Sequence, residues 1–258
     1  STTVICSDKT GTMTRGEMTV RRIYISEDLY EVTGAGYETR GEILRGGTPV
    51  LNDDLALIAK VGALCNDASL TAPSAAKIVG DPTEVALLVV AAKASERAEK
   101  LKADHPRLFE VPFTSERKRM TTVHKTPEGQ LLYCMKGAPE AILPSCEAAY
   151  FRGGHVPMDE DLVRRISDAA DQMTADALRV LAFAYKITPN GQRTPDESSS
   201  EKGLIFLGLM GMMDPPREEV KEAVQKCDNA GIKVVMITGD HKGTAEAVAR
   251  ELRLFGSR

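Results

Sequence analysis

The sequence predicts an α/β protein in which one domain is inserted into another. Two continuous β-branched runs, residues 3–6 and 232–237, lie near opposite ends of the chain. Runs without polar alternation are typical of central strands that are covered on both faces. The residues between the two runs have a different pattern of apolar residues, with short strand patterns and long helical patterns. The enclosed segment is therefore interpreted as an inserted domain.

The elements follow from hydrophobic periodicity and from capping and turn residues. Strands are predicted at 18–26, 30–33, 109–113, 120–125, 131–135 and 180–185, and the apolar stretch 204–213 is interpreted as a further, core strand. Helices are predicted at 53–65, 82–101, 139–146, 159–178, 217–230 and 243–252. Clusters of Gly, Pro and Ser predict loops at 46–49, 72–74, 153–154 and 189–203.

Composition excludes several classes of function. The 258 residues carry 33 Lys plus Arg and 37 Asp plus Glu, a net charge of −4, which argues against a nucleic-acid partner. The longest apolar stretches reach about half of the ~20 residues that a membrane helix needs, so we expect no bilayer span. Five cysteines without a Cys-x-x-Cys pair, and no secretory leader, indicate a reducing, cytoplasmic setting.

The first β-branched run ends in a candidate nucleophile. Asp8 is followed by Lys9, Thr10 and a Gly/Thr loop. A carboxylate beside a cation and several backbone amides suits attack on a phosphoryl group. A polar turn after a strand explains the same residues, because short Asp/Thr/Gly strings are common in turns.

The second run ends in a candidate phosphate site. Thr238, Gly239 and Asp240 follow it directly. A hydroxyl and an amide at a strand end would hold phosphate oxygens, although the same three residues also form ordinary turns. Two such ends in one sheet, at the edge where ligands bind, leave a functional site and a pair of ordinary turns both open.

Five strings together resemble the P-type ATPases, the ion pumps that form an aspartyl-phosphate. Residues 8–14, Asp-Lys-Thr-Gly-Thr-Met-Thr, resemble their phosphorylation motif, with Met13 where Leu is usual. The strings Gly-Asp-Pro-Thr-Glu at 80–84, Lys-Gly-Ala-Pro-Glu at 136–140, Asp-Pro-Pro-Arg at 214–217 and Thr-Gly-Asp at 238–240 follow in the family's order. Within the family, the sequence is most similar in character to the calcium-pump-like branch, which moves calcium or similar light cations.

The resemblance implies two domains. A nucleotide-binding domain, α+β with a mainly antiparallel sheet, would span 17–213. A partial phosphorylation domain of the haloacid-dehalogenase type would carry it, built from 1–16 and 214–258. The chain is then expected to be a fragment of a pump on the cytoplasmic face of a membrane. The pump's transmembrane helices, actuator domain and Gly-Asp-Gly motif would lie outside it.

The resemblance also implies roles at the phosphorylation site. Asp8 would be the nucleophile for ATP and, with the Thr10 carbonyl, would bind Mg²⁺. Lys9 would add positive charge, with a solvated lysine as the alternative. Thr238 and Gly239 would hold the phosphoryl oxygens. Asp240 belongs to the same catalytic string.

For the nucleotide, the resemblance implies that Phe113 stacks on adenine. Lys118 and Lys136 would line the pocket, Glu84 would reach the adenine amino group, and Arg179 would approach the phosphates. Gly137 would let the nucleotide approach the backbone, and Asp214, in the hinge, would lie near the magnesium-phosphate site. The alternatives are that Phe113 is a core residue, that the four charged residues are ordinary surface charges, and that Gly137 only forms a turn.

Two other functions stay open. A soluble haloacid-dehalogenase phosphatase or phosphotransferase usually has an acid-base Asp two residues after the nucleophile, where this chain has Thr10. A Thr there should leave the aspartyl-phosphate long-lived, which favours a pump. The other alternative is an ATP-binding module without turnover. The transported ion is not encoded, and the four histidines show no zinc spacing.

Overall fold

The computed structural model describes residues 2–70, 78–189, 195–239 and 242–254, and a large, mainly antiparallel sheet dominates them. The strands are β1 (Val4–Asp8), β2 (Thr19–Ile25), β3 (Asp28–Val32), β4 (Ile43–Arg45), β5 (Thr48–Pro49), β6 (Ser69–Leu70), β7 (Ile78–Val79), β8 (Arg107–Val111), β9 (Arg119–Lys125), β10 (Leu131–Gly137), β11 (Cys146–Phe151), β12 (Gly154–Pro157), β13 (Arg179–Thr188), β14 (Leu204–Met213) and β15 (Lys233–Ile237). The helices are α1 (Asp53–Leu64), α2 (Pro82–Lys93), α3 (Ala98–Asp104), α4 (Pro139–Ile142), α5 (Glu160–Ala175), α6 (Glu197–Ser200), α7 (Glu218–Asn229) and α8 (Lys242–Glu251).

The order of the large sheet is β5-β4-β3-β2-β14-β13-β10-β9-β8. Neighbours on this path are antiparallel, and β11 joins β14 in parallel while pairing with β12. The predicted α/β class with a mainly antiparallel sheet is confirmed. Within the described ranges, none of the helices combines the length and the apolar character that a membrane span needs.

Helices cover both faces of the sheet. Along β10, Leu132 and Cys134 belong to the core that includes α1 and α2. The alternate residues Leu131, Tyr133 and Met135 belong to the core that includes α5. Successive side chains of a strand point to opposite faces, so one strand supplies both cores.

Three helix starts follow from capping residues. The side chain of Asn52 accepts a hydrogen bond from the amide of Leu55 before α1, and Asp159 does the same for Leu162 at α5. Asp81 caps α2, whose first residue is Pro82. A side-chain oxygen at this position satisfies an amide that has no partner inside the helix.

One predicted helix is two. The continuous pattern at 82–101 indicated a single helix, but α2 ends at Lys93 and α3 begins at Ala98. Ser95 adopts the left-handed region at φ +65°, and the amide of Glu96 donates to the carbonyl of Ala91. These contacts close the end of α2 and turn the chain, which hydrophobic periodicity does not register.

Several short elements were not predicted. The predicted loop 46–49 contains the turn of the β4–β5 hairpin and the whole of β5, and the predicted loop 153–154 contains part of the turn of the β11–β12 hairpin and the first residue of β12. The predicted loop 189–203 contains α6, and the predicted helix 139–146 is α4 followed by a short 3₁₀ turn and the start of β11. The predicted loop 72–74 lies outside the described residues.

The strand β1 pairs in parallel with β15, and in the described part of the chain these two strands form a separate sheet. The expectation that both would be covered on two faces is wrong for the described residues, because Val4, Ile5 and Ile237 are exposed. A small core of Met13, Val248 and Leu252 lies in this part of the molecule. Few apolar contacts hold this region together.

We therefore expect the amides of β1 and β15 to exchange hydrogen faster than those of β10 and β13. Local opening is easiest where few buried apolar contacts must break. Hydrogen exchange read by mass spectrometry would measure the difference. Equal protection in the two sheets would contradict this division.

His124 on β9 gives the fold a second measurable property. Its ring is buried, with Nδ1 3.0 Å from the carbonyl oxygen of His105 and Nε2 2.9 Å from the hydroxyl of Thr122. Burial lowers the pKa of His124 from 6.5 to about 4. The folded protein therefore resists protonation of this ring while the unfolded chain accepts it.

We expect His124 by itself to lower the free energy of unfolding by about 3 kcal/mol as the pH falls from 6.5 to about 4. Over that interval the unfolded chain binds a proton at His124 that the folded protein does not. The variant His124→Gln should lose this part of the pH dependence in urea titrations. His155→Gln, at an exposed position, is the control and should keep it.

Candidate functional site

Asp8 stands at the carboxyl end of β1, beside the end of β15. Parallel pairing puts Asp8 opposite Ile237, so Thr238 and Gly239 follow β15 at the same edge. Asp8 and Gly239 are exposed and Thr238 is partly buried. Ligands of open α/β sheets bind at this edge. Asp240, from the same predicted string, lies outside the described residues.

The residues after Asp8 form one wide, π-type turn, Lys9–Met13. The carbonyl of Lys9 accepts from the amide of Thr14 at 2.9 Å. Gly11 takes φ +76° within the turn, a conformation that glycine adopts without strain. Lys9 is only 3 % exposed, so the alternative of a solvated lysine is wrong. Thr10 is exposed.

The chemistry of this turn fits Mg²⁺. The carboxylate of Asp8 and the backbone carbonyl of Thr10 are hard oxygen donors, and both residues are exposed. Among the described residues, no group of three or more His, Cys, Asp or Glu side chains is arranged to hold a metal ion. Mg²⁺ commonly keeps waters and phosphate oxygens as its other ligands, so Asp8 and Thr10 fit as two donors of such a set.

Asp214 connects the two places where the chain passes between the small and the large sheet. One carboxylate oxygen accepts from the amides of Gly16 and Glu17, at 2.9 and 3.2 Å. The other accepts from the hydroxyl of Thr14 at 2.6 Å. The carboxylate thus joins the segment that leaves the small sheet, residues 14–17, to the segment that returns to it at Asp214. Its predicted place near the magnesium-phosphate site stays a prediction.

Arg217 closes the same crossing from the other side. Its Nε donates to the carbonyl of Thr14 at 3.0 Å, and its Nη2 donates to that of Gly11 at 3.2 Å. Backbone bonds join Arg217 to Met13 and Arg15 to Pro215. The string Asp-Pro-Pro-Arg is therefore a structural clamp on the turn that follows Asp8.

Lys136 and Glu84 form a buried ion pair. The Nζ of Lys136 lies 2.5 Å from Oε1 of Glu84, and their side chains are 9 % and 15 % exposed. Lys136 comes from β10, and Glu84 from the first turn of α2. The other Glu84 oxygen accepts from the amide of Asp67 at 3.1 Å. Removing one partner would leave the other charge buried and uncompensated.

A cavity of about 280 Å³ lies beside these contacts. Asn66, which donates to the backbone carbonyl of Glu84 at 2.9 Å, lines it together with Asp67. Its other lining residues are Leu64, Lys102, His105, Arg107 and His124. This polar cavity therefore lies on the α1–α2 face of the sheet and reaches Glu84 through Asn66 and Asp67.

Phe113 lies in the loop between β8 and β9, and 58 % of it is exposed. The interpretation as a core phenylalanine is therefore wrong. Lys118 ends the loop, and its Nζ lies 3.1 Å from Oε1 of Glu140, with both side chains mostly exposed. An exposed pair of this kind contributes little free energy, so the ammonium can exchange partners.

Arg179 and Gly137 lie at the same end of the sheet. Arg179 is exposed, and its Nη1 is 3.4 Å from the hydroxyl of Thr83, next to Glu84. A Cβ on Gly137 would lie 2.4 Å from the carbonyl oxygen of Lys118. Glycine is therefore needed for the close approach of β10 to the chain before β9. Its predicted role in admitting nucleotide stays a prediction.

Glu201 was missed by the sequence reasoning. Its buried carboxylate accepts hydrogen bonds from Arg117, Arg119 and Thr121. Burial acts to raise the pKa of Glu201, but these three donors outweigh it and hold the pKa below its usual value. No spacing rule joins residues 201 and 117, because only the folding of the sheet brings them together.

Comparison with known proteins gives the family. The family model for the cytoplasmic N domain of P-type ATPases matches residues 54–219, which is more than half of the chain. The chain belongs to the P-type ATPase family. The resemblance inferred from the five strings is confirmed. The matched range contains the nucleotide-site candidates and Asp214 and leaves out Asp8.

Relatives of this P-type ATPase chain extend the likeness over its whole length. It is 42 % identical to a cation-transporting ATPase of Synechocystis over 98 % of the chain. Over 98 % of the chain, it is 43 % identical to calcium-transporting ATPase 1 of Bacillus cereus and 36 % identical to the calcium-transporting ATPase of Bacillus subtilis. The chain spans 28 %, 26 % and 29 % of the lengths of these relatives.

The clamp at Asp214 is testable. We expect Asp214→Ala to lower the free energy of unfolding by about 1–3 kcal/mol, because two amides and a hydroxyl lose their acceptor. Urea denaturation measures the loss, and hydrogen exchange at Gly16 and Glu17 should accelerate. Asp228→Ala, at an exposed position in α7, is the control. Similar losses in both variants would contradict the clamp.

Proposed function

We propose that this chain is the ATP-binding and phosphoryl-accepting part of a P-type cation-transporting ATPase, in which ATP phosphorylates Asp8. One observation carries the proposal: Phe113, Glu84, Lys136 and Arg179 all lie at one end of the large sheet. The strands β2 and β14 connect toward Asp8 from that same end.

Base recognition would rest on Phe113 and on the buried ion pair. The exposed ring of Phe113 offers a face to a purine, and stacking of this kind contributes about 1–3 kcal/mol. The carboxylate of Glu84 would accept a hydrogen bond from the adenine amino group. Lys136, whose Nζ lies 2.5 Å from Oε1 of Glu84, would hold that carboxylate in place. A guanine offers a carbonyl at the same position, so the pair favours adenine.

Phosphate recognition would rest on the exposed cations. Lys118 exchanges the carboxylate of Glu140 for a phosphate oxygen at little cost, because both groups already face water. Arg179 is exposed beside the start of α2 and would bind a second phosphate oxygen. Both residues are at the end of the sheet from which the chain leads to Asp8.

The phosphoryl transfer would be an in-line displacement. A carboxylate oxygen of Asp8 attacks the γ-phosphorus while the bond to the β–γ bridging oxygen breaks, and ADP leaves with that electron pair. Thr238 and Gly239 would bind the equatorial oxygens. Asp8 and the Thr10 carbonyl would hold Mg²⁺, which when bound neutralises charge on the phosphate.

Thr10, two residues after Asp8, favours a pump over a phosphatase. Hydrolysis of an aspartyl-phosphate needs a general base near the phosphoryl group. Thr10 occupies the position where soluble phosphatases of the haloacid-dehalogenase type carry an Asp, and its hydroxyl is no base. The phosphorylated Asp8 would therefore persist, as a transport cycle requires.

The whole protein is proposed from its relatives. Proteins that match 98 % of this chain are named cation- or calcium-transporting ATPases and are more than three times its length. We therefore infer that membrane and actuator domains accompany this chain at the cytoplasmic face of a membrane. Calcium or a similar light cation would be the transported ion.

Calorimetric titration with ATP, AMP and GTP, with and without Mg²⁺, tests the site. We expect saturable binding that prefers adenine, and Phe113→Ala should weaken ATP about 5- to 150-fold, the equivalent of 1–3 kcal/mol. Leu108→Ala removes another exposed apolar side chain, from β8, and should leave affinity unchanged.

Lys136 needs a paired variant because its single substitution leaves Glu84 buried with an unbalanced charge. The double variant Lys136→Met with Glu84→Gln keeps the site neutral and should lose the preference for adenine over guanine. Binding that does not distinguish the bases, or an unchanged affinity in Phe113→Ala, would contradict the proposed nucleotide site.

A further inference from the structure

The carboxylate of Glu201 is the centre of a small charged cluster. Its side chain is 6 % exposed. Arg119 donates to it through Nε at 2.8 Å, Thr121 through its hydroxyl at 2.9 Å, and Arg117 through Nη2. Glu201 follows α6 directly and lies three residues before the start of β14, whereas its three donors lie on β9 or just before it. The cluster thus joins two distant parts of the chain.

Arg117 extends the cluster into the loop that carries Phe113. Its Nη1 donates to the carbonyl of Pro112 at 2.9 Å, and Pro112 is the residue before Phe113. The backbone amide of Lys118 donates to the carbonyl of Thr114 at 2.8 Å, closing the loop at its base. One guanidinium therefore links the buried carboxylate of Glu201 to the backbone next to Phe113.

A second carboxylate does not replace Glu201. Glu197 also contacts Arg117, with Oε1 3.3 Å from Nε, but 64 % of its side chain is exposed. An exposed pair contributes little, whereas loss of a buried carboxylate leaves its hydrogen-bonded cations without a partner. Without Glu201, Arg117 and Arg119 would also repel each other.

We propose that Glu201 is a positioning residue for nucleotide binding, which fixes the 112–118 loop through Arg117 so that Phe113 is held ready to stack on a base. This inference rests on the proposed nucleotide site. Ordering the loop before binding reduces the entropy that binding must remove. Because Glu201 and Pro112 occupy Arg117, Arg117 acts through the position of Phe113 and does not itself bind phosphate.

The test compares Glu201→Gln with Glu197→Gln in the full chain. Calorimetry should show that Glu201→Gln weakens both ATP and AMP about 5- to 10-fold, since both place the base against Phe113. Glu197→Gln should bind both like the wild type. In an Arg117→Met background, Glu201→Gln should have little further effect, because the two residues act as one unit.

A spectroscopic measurement separates positioning from general destabilisation. With ¹⁵N-phenylalanine labelling, the amide signal of Phe113, assigned through Phe113→Leu, should broaden or shift in Glu201→Gln. The signals of the other phenylalanines should stay in place. If Glu201→Gln does not fold, Arg117→Met provides the same comparison, because Arg117 is only partly buried.

Three outcomes overturn the inference. If Glu201→Gln binds ATP with wild-type affinity, this inference is overturned and the proposed function is not. The same holds if Glu201→Gln binds ATP more tightly and AMP unchanged, which would mean that the released Arg117 binds phosphate. Absence of ATP binding by the wild type overturns both this inference and the proposed function.

Discussion

The register of the central antiparallel strands is the constraint on which the rest of the structure depends. Pairing of β10 with β13, of β13 with β14, and of β14 with β2 brings the end of β10, the start of β13, the end of β14 and the start of β2 together. Lys136, Arg179 and the crossing at Asp214 therefore meet at one end. A slip by one residue would turn Lys136 to the opposite face, away from Glu84.

Two groups of charged side chains at this end are buried together with their partners. The Lys136–Glu84 pair and the Glu201 cluster lie on opposite faces of the sheet. Lys136 is on the face of Cys134 and of its cross-strand partner Met120. Thr121, which donates to Glu201, follows Met120 on β9 and therefore points to the other face. Buried ion pairs contribute little net stability, because desolvation offsets their attraction. Their effect here is geometric: they hold side chains and one loop in a defined arrangement.

The small sheet has a different physical character. β1 is exposed over most of its length, β15 is half-buried at its centre, and a core of few residues holds them. Asp214 and Arg217 compensate by fixing the turn after Asp8 to the returning chain. The proposed nucleophile is thus placed by hydrogen bonds across the crossing more than by apolar packing.

Local signals in the sequence were sufficient where the chain itself sets the structure. Capping residues and periodicity predicted α1, α5, β9, β13 and their approximate bounds. The five strings predicted the family, which the family model confirms. Periodicity failed where a single residue ends an element, as at Ser95, where φ +65° divides the predicted helix 82–101. It also missed the very short hairpin strands, which are too brief to show a period.

The sequence by itself determined the α/β class, the family and the residue types of the candidate site. Only the tertiary structure decided which of these residues meet. It paired Lys136 with Glu84, placed Thr238 and Gly239 beside Asp8, buried Lys9, and committed Arg117 to Glu201. The physical reason is that each of these contacts joins residues far apart in the chain. Strand register and burial, which no local pattern encodes, fix the distances between them.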